Sequence, residues 1–211
     1  MLADKPSTER IPGYCSLCVS RCGSIVGNYF GIFTDYYYTD TLSSYTSFGA
    51  VSWDSTYQNI VIGNPVAGDN ILYKSITFDQ SATISGRVYI PSDNVGLFDS
   101  VSIALKDERA EYWATLAYGS ALPERNHISI MRNDEWGGLY PIDLTPGWYT
   151  IKVKIDYSNN TINMKTWKDG QNEPVWQLSD AVNPDWHPKL IGFRHYGQGS
   201  IVDDLIVVEA P

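Results

Sequence analysis

The chain is poor in cysteine, in basic residues and in long apolar runs. Three of its 211 residues are cysteine, and a chain of this length can bury roughly 70% of its unfolded surface without disulfide or metal crosslinks. Its 15 Lys and Arg residues are scattered and outnumbered by acidic ones, so the net charge is −9. A nucleic-acid binder needs a basic patch, and a membrane span needs about 20 consecutive apolar residues. The composition therefore argues against both classes.

Aromatic residues, in contrast, are abundant, with 15 Tyr, 7 Trp and 6 Phe. Tyr and Trp suit the half-buried surfaces of β-sheets, and they also suit the flat platforms on which sugars bind. The excess of aromatics is therefore consistent with a sheet protein and with a carbohydrate binder.

Apolar and polar side chains alternate along most of the chain after Asp35. The clearest alternations lie in residues 82–90, 100–105, 148–156 and 161–167, and turn residues bound them. Further strands are expected near 46–53, 57–62, 70–78, 111–118, 126–131, 174–178, 189–195 and 200–208. No segment shows a sustained 3.6-residue apolar period. About a dozen short strands separated by turns predict an all-β sandwich or barrel.

Three segments, in order, resemble motifs of the concanavalin A-like and laminin G-like superfamily. Residues 40–53 combine an acidic turn, an aromatic at Tyr45 and a Gly-x-x-x-Trp strand that ends at Trp53. Residues 147–170 are similar to the Trp-Tyr-x-hydrophobic-x-Val hairpin that closes on Asp-Gly. Residues 190–207 resemble the closing Gly-bearing strand and the final strand with an Asp-Asp pair. The resemblance implies an all-β, two-sheet antiparallel jelly-roll sandwich. It predicts a concanavalin A-like domain over residues 35–211, preceded by a short irregular N-terminal arm over residues 1–34.

The superfamily includes lectins, adhesins, carbohydrate-binding modules and glycosidases, so fold alone does not fix function. Its glycosidases typically carry acidic residues at alternating positions of one strand, and retaining hydrolysis needs two carboxyl groups about 5–5.5 Å apart. The sequence lacks this spacing, because its nearest approach, residues 107–111, reads as a turn. The three histidines, His127, His187 and His195, lack metal-ligand spacing. We therefore predict a non-catalytic protein, with a glycoside hydrolase as an alternative.

Candidate sugar-binding residues are the aromatic and polar side chains that oppose the apolar set of their strand. Aromatic faces pack on sugar C–H surfaces, and polar groups fix the hydroxyls. Trp136 is placed in a Gly-rich loop over residues 133–138. If the strands concerned share the concave sheet, the predicted ligand-binding set is Arg87, Tyr89, Trp113, Trp136, Arg194 and Tyr196. The alternative is that several of these side chains simply pack against loops.

The resemblance also implies a possible structural calcium ion, because an acidic residue on the last strand often helps to hold one in related β-sandwiches, and calcium takes six to eight oxygen ligands. The possible ligands are Asp203 and Asp204, with Asp40 near the first strand. Consecutive side chains on a strand point to opposite faces, so one of the Asp203–Asp204 pair would reach a given ion.

The three cysteines lie close together in the N-terminal arm. Cys15, Cys18 and Cys22 have Cys-x2-Cys-x3-Cys spacing, which allows a shared zinc ion or iron–sulfur cluster. This segment locally resembles the iron–sulfur motif of molybdopterin oxidoreductases, which needs a fourth cysteine that the chain lacks. One disulfide with an odd thiol, or three free buried thiols in a docking segment, remain alternatives.

The sequence thus favours a carbohydrate-binding or adhesion module whose partner is a glycan or cell-surface polysaccharide. The first residues lack the charged-then-apolar pattern of a secretory signal, which is compatible with a virion protein such as a phage decoration protein or tail adhesin. In that case residues 1–34 would dock on a protein partner in an oligomer or assembly, and the domain would lie outside the cell or on the virion surface. The alternative is a purely structural decoration or cement protein.

Overall fold

The computed structural model describes residues 30–35, 40–56, 58–62, 69–91, 99–119, 126–197 and 200–209. Fifteen β-strands and one short 3₁₀ helix (Leu42–Ser44) lie in these ranges. The strands are β1 (Phe30–Asp35), β2 (Thr46–Phe48), β3 (Val51–Asp54), β4 (Asn59–Ile62), β5 (Asp69–Ser75), β6 (Ala82–Ile90), β7 (Asp99–Lys106), β8 (Glu111–Tyr118), β9 (His127–Arg132), β10 (Glu135–Pro141), β11 (Gly147–Asp156), β12 (Thr161–Lys168), β13 (Leu178–Ala181), β14 (Leu190–Tyr196) and β15 (Ser200–Glu209).

The strands form two antiparallel sheets. The eight-stranded sheet has the order β13-β12-β11-β6-β15-β4-β3, with β1 also paired to β15, and the seven-stranded sheet has the order β10-β9-β8-β7-β14-β5-β2. Neighbours in a sheet are often distant in sequence, as β6 and β15 are in one sheet and β5 and β14 in the other. This arrangement confirms the predicted two-sheet jelly-roll sandwich.

The core lies between the sheets and is built from every second side chain of the long strands. Along β6, buried residues alternate strictly with partly exposed ones, and β11 follows the same alternation after Trp148. Each fully buried Val, Ile, Leu or Phe side chain stabilises the fold by about 1.5–3 kcal/mol. The predicted inward set is confirmed for these two strands by the burial of Ile84, Val88, Ile90, Tyr149, Ile151, Val153 and Ile155.

A glycine at the centre of the eight-stranded sheet makes room for a phenylalanine ring from the facing sheet. A Cβ atom on Gly86 would lie 2.5 Å from Cζ of Phe193, which is in the facing sheet. Phe193 is fully buried. The Phe193 ring therefore packs directly against the Gly86 backbone, and any side chain at position 86 would displace that ring.

Three strands differ from the sequence-based expectation. Residues 133–138 were expected to form a Gly-rich loop, but residues 135–138 belong to strand β10. Glycine explains its pairing with β9, since a Cβ on Gly137 would lie 2.3 Å from the Ile130 carbonyl oxygen. The strand expected near 174–178 instead begins at Leu178 as β13. β1 begins at Phe30 and pairs with β15, so it includes residues 30–34 of the segment predicted as the N-terminal arm.

His195 is a titratable side chain buried inside the sandwich. It is fully buried, and within the described ranges neither ring nitrogen has a hydrogen-bond partner. Burial, and then the positive charge of Arg194, lower the pKa of His195 to about 4. The folded protein therefore holds the neutral imidazole, whereas the unfolded chain takes up a proton near pH 6.5.

We expect this difference to make the protein acid-sensitive. Below about pH 6.5 the unfolded chain binds more protons than the folded one, so the free energy of unfolding falls by about 1.4 kcal/mol per pH unit down to about pH 4. Between about pH 5.5 and 6.5, above the range in which carboxyl groups take up protons, urea unfolding of His195→Leu should lack this part of the slope. His187→Leu, at an exposed histidine, is the matched control, and an unchanged slope in His195→Leu would refute the assignment.

Candidate functional site

The outer face of the seven-stranded sheet carries a second cluster of side chains, separate from the sandwich core. Tyr73, Ala104, Trp113 and Met131 pack there, with Ile71 and Leu190 at the margin. Strand pairing places one row of residues directly across this face: Tyr73, Gly192, Ala104, Trp113, Met131 and Trp136. Strands lie about 4.8 Å apart, so Trp113 and Trp136, two strands from each other, are separated by about 10 Å.

Arg194 lies against the ring of Trp113 on this face. Its guanidinium carbon is 3.6 Å from the ring centroid, a distance at which a cation is attracted to the negative face of the indole. Arg194 Nη2 lies 2.5 Å from a carboxylate oxygen of Asp69 and 3.7 Å from one of Asp134. The Arg194 side chain is 8% exposed, and within the described ranges its Nε has no hydrogen-bond partner.

Glu111 interacts with three neighbouring side chains, those of Trp113, Tyr73 and Lys106. Its carboxylate accepts a hydrogen bond of 2.7 Å from Trp113 Nε1, accepts another from the Tyr73 hydroxyl, and pairs with Lys106 Nζ at 3.2 Å. Burial, and then the neighbouring carboxylate, raise the pKa of Tyr73, so Tyr73 keeps its proton and remains a donor to Glu111. The Trp113 ring is thus fixed by its hydrogen bond to Glu111 and covered by the Arg194 guanidinium.

Trp136 presents an exposed ring on the same face. Its residue is 43% exposed, and the indole lies edge-on to the imidazole of His127, with 5.2 Å between ring centroids. Leu139 and Tyr140, on the same strand, are also 43% exposed. Contrary to the predicted loop, Trp136 lies in a strand, so its backbone is fixed by pairing with Met131.

The turn between β9 and β10 places Asp134 near Arg194 and two residues before Trp136. Asn133 and Asp134 occupy the left-handed backbone region, with φ of 48° and 67°, as two-residue hairpin turns require. Asp134 is two residues from Trp136 and reaches Arg194. We call this surface the Arg194–Trp136 face; it consists of Asp69, Trp113, Asp134, Trp136 and Arg194.

Small hydroxyl side chains lie on β7, β8 and β9, the strands between Arg194 on β14 and Trp136 on β10. Ser102 and Thr115 are hydrogen-bonded at 2.9 Å, and Ser129 follows them in the next strand. All three are fully buried, so the exposed contact surface belongs to the larger side chains. Tyr196, at the end of β14, is 37% exposed and adds an aromatic ring near Arg194.

The structure divides the predicted ligand-binding set between the two sheets. Trp113, Trp136, Arg194 and Tyr196 belong to the seven-stranded sheet, whereas Arg87 and Tyr89 lie on β6 of the eight-stranded sheet. The six residues therefore do not form one cleft. The sequence could not show this division, because strand order in a sandwich depends on crossovers rather than on local pattern.

Arg87 is held in an ion-pair cluster of its own. It lies 2.5 Å from Asp169, 3.2 Å from Asp204 and 3.6 Å from Asp203, and its guanidinium stands over Trp148 at 4.7 Å. Burial opposes the charge of Arg87, but the three carboxylates outweigh it and raise its pKa. Tyr89 packs against the same Trp148 ring at 5.5 Å. These contacts tie the turn after β12 to β15.

The predicted calcium ligands do not form a metal site in the part of the chain that the structure describes. There, no three His, Cys, Asp or Glu side chains gather as metal ligands. Asp203 and Asp204 pair with Arg87, and Asp40 instead accepts a hydrogen bond from the backbone N–H of Leu42. These residues therefore do not fit a calcium ion. Cys15, Cys18 and Cys22 lie outside the described residues.

Sequence reasoning missed Asp69, Tyr73, Glu111 and Asp134. Glu111 had a usable signal, because it lies two positions before Trp113 on one strand and so faces the same way. Of residues 107–111, which were predicted as a turn, 107–110 form the turn between β7 and β8, closed by the bond from Asp107 N–H to the Ala110 carbonyl, whereas Glu111 begins β8. Asp69 meets Arg194 only through the pairing of β5 with β14, which no local pattern reveals.

Comparison with known proteins identifies the fold. No protein-family model matches the chain, and no curated protein sequence is similar to it. Among solved structures, lectin II from Ulex europaeus is similar with a TM-score of 0.66 and 9% identity, covering 85% of this chain and 98% of the lectin. The fold is that of the concanavalin A-like jelly-roll sandwiches, which include the legume lectins and galectin-like folds.

Two further similar structures have a TM-score of 0.65. One is the carbohydrate recognition domain of Emp47p, at 9% identity over 90% of this chain and 100% of that domain. The other is the CBM2 module of the evolved Dit of Lactobacillus casei BL23 phage J-1, at 8% identity over 86% of this chain and 96% of the module. At these identities the likeness concerns the fold alone. Across the described ranges, no helix has the length and apolar character to cross a membrane.

Proposed function

We propose that this protein is a non-catalytic glycan-binding module and that its ligand lies on the Arg194–Trp136 face. The observation that carries the proposal is the 43% exposed Trp136, fixed on a paired strand beside an arginine, an aspartate and a second tryptophan on one sheet face. An exposed indole offers a flat apolar surface to sugar C–H groups, while arginine N–H groups and carboxylate oxygens fix hydroxyls.

The structural neighbours support this proposal. They include a carbohydrate recognition domain, a CBM2 module and lectins, so sandwiches of this shape commonly present a sugar-binding surface. The residues on the face supply the chemistry independently of that likeness, since aromatic, cationic and acidic side chains converge there.

The non-catalytic part of the proposal rests on how the carboxylates of this face are used. Glycoside hydrolysis needs one carboxyl group as acid and another as nucleophile or base. Glu111 accepts from Tyr73 and Trp113 and pairs with Lys106, while Asp69 pairs with Arg194. These interactions engage both carboxylates with side chains of the protein itself.

A glycan array probed with the purified full chain tests this function. We expect saturable binding to at least one oligosaccharide or polysaccharide, and no release of reducing sugar from the bound polymer. A blank array would contradict the binding role. Release of reducing ends at a rate proportional to protein concentration would replace it with the glycoside hydrolase alternative.

We also propose that residues 1–34 attach the domain to a larger particle, such as a virion, with the glycan-binding domain on the outside. The likeness to a module of a phage Dit protein favours this second role. Crosslinking mass spectrometry on the full chain in its native particle should join residues 1–34 to another protein. Crosslinks confined to the chain itself would contradict attachment, and attachment with a blank glycan array would favour the purely structural decoration role.

A further inference from the structure

We infer that the Arg194–Trp136 face selects neutral glycans and discriminates against glycans that carry carboxylate or sulfate groups. This inference rests on the proposed glycan-binding function and adds the class of ligand. An arginine beside a tryptophan would ordinarily suggest an acidic sugar, because guanidinium groups bind carboxylate and sulfate strongly. The carboxylates around Arg194 argue instead against an anionic ligand.

The charge of Arg194 is already compensated within the protein. A carboxylate oxygen of Asp69 lies 2.5 Å from Arg194 Nη2, and one of Asp134 lies 3.7 Å from the same nitrogen. The other cation of this cluster, Lys106, is paired with Glu111. These described groups comprise three carboxylates and two permanent cations, so the local charge is negative, in keeping with the net charge of −9 for the whole chain.

An anionic ligand therefore meets repulsion here. The Asp134 side chain is 81% exposed and lies 3.7 Å from Arg194 Nη2, so a ligand that approaches Arg194 meets its negative charge. A ligand carboxylate would have to displace Asp69 from an arginine that is only 8% exposed. Like charges brought together without compensation cost several kcal/mol in recognition.

A neutral sugar fits the same groups without that cost. A hydroxyl group donates to a carboxylate and accepts from an N–H group at the same time. The face presents the acceptor at its surface, because the Asp134 side chain is 81% exposed, whereas Arg194 Nε is buried away from a ligand. The Arg194 guanidinium, held over Trp113 and paired with Asp69, thus adds no net positive charge that would attract an anionic ligand.

The test is an array that carries neutral glucans, galactans and mannans beside pectate, alginate and heparin. We expect the wild-type protein to bind its strongest neutral polymer at least about tenfold more tightly than any anionic one. Binding to the neutral polymer should change little between low and high salt, because no ion pair with the ligand is screened.

Asp69→Asn together with Asp134→Asn removes both counter-charges and tests the cause. The ratio of heparin or pectate binding to neutral binding should rise by about tenfold in the double variant. Asp185→Asn is the matched control, since it removes an exposed carboxylate whose partner is Arg109. If the double variant unfolds more easily, Asp134→Asn alone, at the more exposed position, should shift the ratio in the same direction.

The outcomes separate this inference from the function on which it rests. Wild-type protein that prefers pectate, alginate or heparin would overturn the neutral preference and leave glycan binding intact. An unchanged ratio in the folded double variant would overturn the role of Asp69 and Asp134. An array that stays blank would overturn both the inference and the proposed function.

Discussion

Replacing Trp136 with alanine is expected to weaken glycan binding by about 30-fold, or about 2 kcal/mol. The indole is the exposed aromatic of the proposed face, and its position is fixed by strand pairing and by His127. A preorganised aromatic anchor contributes strongly because little side-chain entropy is lost on binding. Isothermal titration calorimetry with the strongest array ligand measures the change directly.

Trp176→Ala is the matched control for this experiment. Trp176 is 38% exposed, similar to Trp136, but its ring covers Lys165 of β12 at 4.3 Å, beside the eight-stranded sheet. We expect this variant to keep the wild-type affinity within about twofold, since residues outside a contact surface contribute little to binding. Equal losses in the two variants would show that tryptophan removal acts through stability rather than through contact with the ligand.

Replacing Phe193 with alanine is expected to lower the free energy of unfolding by about 3–5 kcal/mol. The ring is fully buried and fills the space that Gly86 leaves open across the sandwich. Its removal loses the burial of a large apolar side chain and leaves a cavity, because the two sheets are held apart by the neighbouring side chains. Urea unfolding of the variant and the wild type gives the difference.

Gly86→Val probes the same contact from the other sheet. It should destabilise the fold by overpacking, by about 1–3 kcal/mol, because a Cβ at position 86 already meets the Phe193 ring. Combined with Phe193→Ala, it should lose less than the sum of the two single effects, since the valine then occupies vacated space. Additive effects would mean that Gly86 and Phe193 do not share this contact.

Sequence pattern was sufficient to predict an all-β sandwich or barrel, because burial follows the two-residue period, and the resemblance to known motifs added the two-sheet jelly roll. β6 and β11 alternate between core and surface as their sequences do, and the β11–β12 hairpin pairs as its turn residues predict. β10 was missed because Gly137 and Gly138 interrupt its pattern. Glycine usually weakens a strand, and here it permits the close backbone approach that Ile130 imposes.

Individual residues of the candidate site could be predicted from sequence, but their grouping on one sheet face could not. Trp113, Trp136, Arg194 and Tyr196 could be selected as aromatic or polar residues that oppose apolar ones. Their association depends on strand order, and the same rule also selected Arg87 and Tyr89, which the structure places on the other sheet. The pairing of Arg194 with Asp69 arises from the register of β5 and β14, so the charge balance of the site was not available from local sequence.

The indole N–H resonances of the protein offer the most direct test of where the glycan binds. The chain has 7 tryptophans, and they can be followed separately by nitrogen-15 NMR during titration with the strongest array ligand. We predict that the Trp136 resonance moves most and that Trp113, under Arg194, follows, while Trp148, Trp167 and Trp176 stay in place. Shifts confined to those last three would put the ligand on the eight-stranded sheet and contradict the proposed site.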